Sequence, residues 1–229
     1  MSTSGQYTFN PDLGSLTLYA YQLIGIRPTA VLQEHLDSAR MATNMILSRW
    51  SSEGVNTWAV DLVTVPLIEG QTTYSIDSNT IVMLDTYISV ANGDGTYTDR
   101  IILPISRTEY ASYPNKSQTG FPTTYWMDRL LSPTVTLWPV PDGNEAFLKY
   151  YRLIQLQDAN LNGNQQLDLP YYFLDAMAYA LALRLAQIWA PEKVAMLKPF
   201  ADESYQIAVA QNIETSAFYV SPTVNGYFR

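Results

Sequence analysis

Asp158, Asn160, Asn162 and Gly163 spell D-x-N-x-N-G, the opening half of a calcium-binding loop. Oxygen ligands at alternate positions suit a hard cation, and the glycine permits the sharp turn between them. Closing such a loop takes a bidentate glutamate at the twelfth position. Here that position is Leu169, with Asp168 one residue early. No helical pattern precedes the loop, because AFLKYYRLIQL alternates like a strand. Residues 158–169 therefore read as a connector that ends a β-rich region and delivers Leu169-Pro170 to a helix. We expect no metal and no cofactor there, and NGDGTYTD (92–99) reads as a hairpin turn.

Other chemistry is sparser. Hydrolysis of a glycoside needs two carboxyl groups across a cleft. Glu109, Asp128, Asp168 and Asp175 qualify only as available acids. His35 is the sole histidine, expected mid-helix beside Glu34, and no nucleophile-elbow sequence occurs for it to serve. The absence of cysteine excludes disulfides and thiolate metal sites. Gly93 and Gly95 lack the following helix and lysine of a phosphate-binding loop. No catalytic residue emerges, and the expectation is a protein that is not an enzyme.

The elements that position these residues follow from periodicity. Leu13 to Ile26 reads as a helix ending near Gly25. Thr29 to Glu53 reads as a longer one, with Leu32, Leu36, Ala39, Ile46 and Trp50 on one face, Pro28 before it and Gly54 at its stop. From Trp58 to about Gln157 the period falls to two. Seven β-branched and aromatic runs (WAVDLVTVPLI, TTYSI, TIVMLDTYISV, YTDRIILPI, TTYWMD, TVTLWPV, AFLKYYRLIQL) are separated by turn residues, with a short helical turn at Arg107 to Tyr113. Trp138, held between a strand and Pro139-Val140-Pro141, is expected to cap the β-core where the strand ends. Helical period returns at Tyr171 to Trp189. There Ala178, Ala182 and Ala186 lie at four-residue steps and permit close packing of helices, within the chain or at a ring interface. Pro191 breaks that helix, and a last one runs from Glu192 to Ser216, with a kink expected at Pro199.

The fold class is thus α+β, with N- and C-terminal helices packed as a helical bundle and a β-rich insert domain between them. The segments are helical parts 1–57 and 158–216, an insert at 58–157, and a non-helical arm at 217–229. Apolar residues make up 47% of the chain, so it is expected to be globular. Tyr171 to Trp189 is no membrane span, because Asp175, Arg184 and Gln187 interrupt it. MSTSGQYTFN has neither the basic start nor the apolar run of a signal peptide.

Charge is more informative. The net charge of −8 argues against a basic grip on nucleic acid but not against a surface past which DNA slides. Only 15% of residues are charged, against about 25% in ordinary soluble domains, and there are 17 tyrosines. Tyrosine is favoured where a dry face meets polar groups, as at protein interfaces. The composition points to a surface hidden in an assembly.

An ordered set of short motifs runs along the chain. Leu23-Ile24-Gly25-Ile26 is followed by Asn44-Met45-Ile46-Leu47 with Trp50, then Gly54, Trp58 and Glu69-Gly70-Gln71-x-x-Tyr74. Ser106-Arg107-x-Glu109-Tyr110, Pro114-x-Lys116, Gly120-x-Pro122 and Leu137-Trp138-Pro139-Val140-Pro141-Asp142 come next, and Asp168-Leu169-Pro170 precedes the alanine-rich helix. In order and spacing, over about residues 13–216, this resembles the head-to-tail adaptor (connector) proteins of tailed bacteriophages, the tail accessory factor or tail tubular protein A type. The resemblance implies a homo-oligomeric ring of about twelve copies under the portal protein, with a heterologous subunit interface. It implies a virion protein made in the bacterial cytoplasm and placed at the head–tail junction. The ring would bind a tail nozzle or tail tube protein and leave a channel for DNA. The arm AFYVSPTVNGYFR carries Phe218, Tyr219, Tyr227 and Phe228, too many aromatics to leave in water. By the same resemblance those four residues are the docking contact to portal or neighbour; the other reading folds the arm back on its own subunit. The alternatives are a tail-associated carbohydrate-binding module and an acid-pair cell-wall hydrolase.

Overall fold

The computed structural model describes residues 5, 9–55, 57–160 and 165–212. Its first helix, α1 (Leu13–Leu23), starts where the Asp12 carboxylate accepts the Ser15 amide at 2.7 Å. That bond satisfies one of the amide groups a helix start leaves unpaired. Gly25, at φ 87°, turns the chain out of it.

The second helix, α2, spans Gln33–Glu53 and begins later than the expected Thr29. Pro28–Ala30 form a separate 3-10 turn, and Val31 and Leu32 are extended. His35 supplies the start signal. Its Nδ1 accepts the Leu32 amide at 3.2 Å, so it sits in the first turn and is not a mid-helix surface residue. Its ring is buried, stacked on Trp189 at 4.2 Å and edge-on to Tyr21, whose hydroxyl donates to the His35 carbonyl. Burial pushes the Tyr21 phenol up to about 12.

All seven β-branched runs form strands. They are β1 (Val60–Pro66), β2 (Thr73–Ser75), β3 (Thr80–Ala91), β4 (Tyr97–Ile101), β5 (Leu103–Pro104), β6 (Thr124–Asp128), β7 (Thr134–Trp138) and β8 (Ala146–Ile154). YTDRIILPI yields both β4 and β5. The chain changes sheet at the buried Ile102, so β4 closes the sheet β1-β8-β3-β4 while β5 joins β2-β7-β6-β5. Apolar inner residues of both sheets, among them Ile88, Tyr125, Val135, Leu137, Leu148 and Tyr150, form one core. The helical turn falls as expected at α3 (Arg107–Ser112), capped by Ser106.

The C-terminal helices are α4 (Leu174–Trp189) and α5 (Val194–Gln211), each entered through a 3-10 turn, at Tyr171–Phe173 and Pro191–Lys193. The second helix continues through Pro199 to Gln211. Side chains of α1, α2, α4 and α5 share a second core, which also takes Leu156 from just after β8 and Ala159, Leu167 and Leu169 from the connector. Helices at both ends of the chain therefore enclose one core, and the β region lies between them in sequence.

Two polar side chains of α2 hold the chain that leaves β8. The Asn44 side chain donates to the Ala159 carbonyl (3.1 Å) and accepts its amide (2.7 Å). Ser51 Oγ accepts the Leu156 amide at 3.2 Å. Between α2 and α5, the Tyr205 hydroxyl donates to Glu53, which also pairs with Arg49 at 2.7 Å. Burial alone would raise the Glu53 carboxyl, but these two donors hold it below its ordinary 4.5. A depressed carboxyl stabilises the fold above its unfolded pKa and loses that contribution as pH falls through the folded one. Tyr205→Phe should lower stability by about 1 kcal/mol at neutral pH, with the gap narrowing below pH 4.5 as Glu53 protonates. Thermal melts at pH 7 and in the acid range would check this, and an equal gap at both would assign the loss to packing.

Candidate functional site

Glu109 sits in the first turn of α3, Asp128 at the end of β6, Asp168 in the connector and Asp175 in the first turn of α4. Asp168 takes part through its backbone carbonyl, which accepts the Trp58 indole at 3.1 Å. Among the described residues no group of three His, Asp or Glu side chains converges as metal ligands would. Leu161 to Asn164 of the connector lie outside the described residues, but its flanks are tied down. Asn160 donates its amide to Gln165 Oε1 at 2.5 Å, and the Gln165 amide side chain donates to the Asp158 carbonyl at 3.1 Å. Adding calcium should leave the melting temperature unchanged, and chelators should leave assembly intact. A rise of several degrees with calcium, lost in Asp158→Ala, would make the loop a metal site.

The tryptophan–proline stretch organises its surroundings. The expectation that Trp138 caps the β-core needs revision. Its ring packs on Tyr113 at 4.2 Å, and its indole donates to the Asn115 carbonyl at 3.0 Å. Lys116 caps the carbonyls of Ala111 and Tyr113 at 3.2 Å each. Gly120 donates to Val140, and Val140 donates back to Gln118. Gly70 donates to Pro141 at 3.1 Å, and Tyr74 holds the Ile68 amide at 3.0 Å. The separate motifs around residues 70, 107, 116, 120 and 138 are thus one strap clamped on the end of β7. They are a framework.

What remains is surface suited to association. Ala178, Ala182 and Ala186 are buried within the single chain, in the core shared by α1, α2, α4 and α5. Phe218, Tyr219, Tyr227 and Phe228 lie outside the described residues. Sequence reasoning missed the exposed apolar side chains on helices. Met41 and Met45, 58% and 55% exposed, stand one turn apart on α2. Met196, Phe200 and Ile207, about half exposed, form a stripe on α5 at helical spacing. A groove of about 370 Å³ between α1 and α4 is lined by Phe9, Leu16, Tyr19, Leu174 and Ala178. Among the described residues no helix is long and apolar enough to cross a membrane. Apolar patches of this kind, rimmed by polar residues, mark protein interaction surfaces. The available signal was that α4 and α5 are apolar around more than one face.

No curated protein matches the chain. A family model described as SU10 adaptor protein matches residues 20–226, nearly the whole length and all of the motifs above, and the chain belongs to that family, the adaptor proteins of phage virions.

Proposed function

We propose that this protein is a head-to-tail adaptor of the tail tubular A type, joining the portal to the tail nozzle as a ring of about twelve copies. The observation that carries the reading is the pair of unlike apolar helix surfaces, Met41 and Met45 on α2 and Met196, Phe200 and Ile207 on α5. A closed ring built head to tail needs two different patches on each subunit, whereas a twofold dimer needs one self-complementary patch. In this reading the helical parts 1–57 and 158–216 make the ring wall, and Ala178, Ala182 and Ala186 let its helices approach closely. The insert 58–157 decorates the wall, and residues 217–229 dock on portal or neighbour. DNA passes through the channel without specific binding, as a net charge of −8 favours. The role is structural and involves no catalysis.

The test is mixing the protein with its cognate portal ring and imaging the product. A second ring stacked coaxially under the portal, with an open channel, is the expected result. A small species that ignores the portal and binds or cleaves glycan would overturn it in favour of a lectin or hydrolase.

A further inference from the structure

The face of the β1-β8-β3-β4 sheet turned away from its core carries exposed apolar side chains among Thr64, Lys149, Ser89 and Asp99, and among the described residues no element covers Leu62, Tyr151, Leu84 or Ile101. Register places Leu62 opposite Tyr151, and Tyr87 opposite both Lys149 and Ile101. Leu62 is 46% exposed, Tyr151 40%, Leu84 41% and Ile101 74%. Strand faces left to water are ordinarily polar, so a row of this kind calls for an occupant.

The chain itself leads to this face. Asn212, directly after α5, accepts the Thr57 hydroxyl at 2.7 Å and the Tyr172 hydroxyl at 2.9 Å. Those bonds fix it on the rim of an open cavity of about 730 Å³, whose other walls include Val60, Leu84 and Tyr151 of the same sheet face. The helix therefore hands residues 213–229 over at the foot of an uncovered apolar surface. At roughly 3.3 Å per extended residue, Phe218 and Tyr219 reach about 20 Å beyond Asn212. Tyr151 to Phe147 along β8 spans only about 14 Å. The segment is long enough to cross the face, and its aromatics match what the face presents.

We propose that in the free subunit residues 213–229 lie across the outer face of this sheet, with Phe218 and Tyr219 over Leu62, Tyr151 and Tyr87. Cover by the subunit's own chain leaves the protein without an adhesive sheet face before assembly. This claim concerns the free subunit and stands apart from how the portal is gripped.

The chain has no cysteine, so one introduced thiol reports one place. Leu62→Cys would be labelled with a maleimide in two full-length chains, one with the native segment and one with Phe218, Tyr219, Tyr227 and Phe228 all changed to Ser. Leu131→Cys, at a position 99% exposed, is the control. The expected result is labelling at position 62 at least ~10-fold slower with the native segment, independent of protein concentration, and equal rates at position 131. Equal rates at position 62 overturn the proposal. Protection that grows with protein concentration also overturns it, because a neighbouring copy would then be the cover. Neither outcome by itself tests whether these aromatics grip the portal, which is read separately.

Discussion

Ala182→Leu should lower the melting temperature by roughly 3–10 °C and weaken entry into portal-bound rings. Ala182 is fully buried on α4, and α4 is the helix that contacts α1, α2 and α5. Ala178 and Ala186, one turn away on either side, are as thoroughly buried. A methyl side chain there sets how near the neighbouring backbones come. Three further carbons must displace a helix or adopt a strained rotamer, at about 1–3 kcal/mol. The loss should appear in the isolated subunit, because the contact lies within one chain. A variant that melts normally yet fails to enter rings would place Ala182 in a subunit interface instead. A variant normal in both would end the close-packing account.

The pattern of elements was legible because it is local. Period two marked every strand run, period 3.6 marked four helices, and Ser106 and Gly54 fell where caps and stops belong. What was not legible depends on partners distant in sequence. The β8 strand inserts between β1 and β3, and the ion pair of Arg152 with Asp61, at 2.7 Å, ties β8 to β1. Nothing near Arg152 in sequence announces that pairing. The β4–β5 break at Ile102 has the same origin: one continuous apolar run serves two sheets, and only the pairing shows where it divides. His35 was misplaced because histidine is an unusual helix start, and its role requires Trp189 and Tyr21 beside it. For the candidate surfaces, periodicity did not single out Met41, Met45, Met196, Phe200 or Ile207. A helix with two apolar faces shows the same residues whether the second face meets its own core or another subunit.

Replacing Phe218, Tyr219, Tyr227 and Phe228 by serine should leave a folded, soluble subunit whose attachment to the portal falls by at least ~100-fold. Among the described residues both apolar cores are built from side chains that precede this segment, the last being Ala208, and on that ground the substituted chain is expected to fold. Fully burying one large apolar side chain is favourable by roughly 1.5–3 kcal/mol. Only part of four such gains survives the entropy cost of fixing the side chains on docking. A loss of ~100-fold corresponds to about 2.7 kcal/mol, well within what remains. If the free subunit also keeps this segment on its own sheet, docking must first release it, and the measured affinity understates the contact at the portal. Weakening the sheet face alone, with Leu62→Ser, should then tighten portal attachment while the serine-substituted segment loosens it. Sedimentation of the two variants with portal rings separates the effects. A serine-substituted chain that binds portals with undiminished affinity would remove these aromatics from docking, whereas one that unfolds would make the segment part of the subunit's own core.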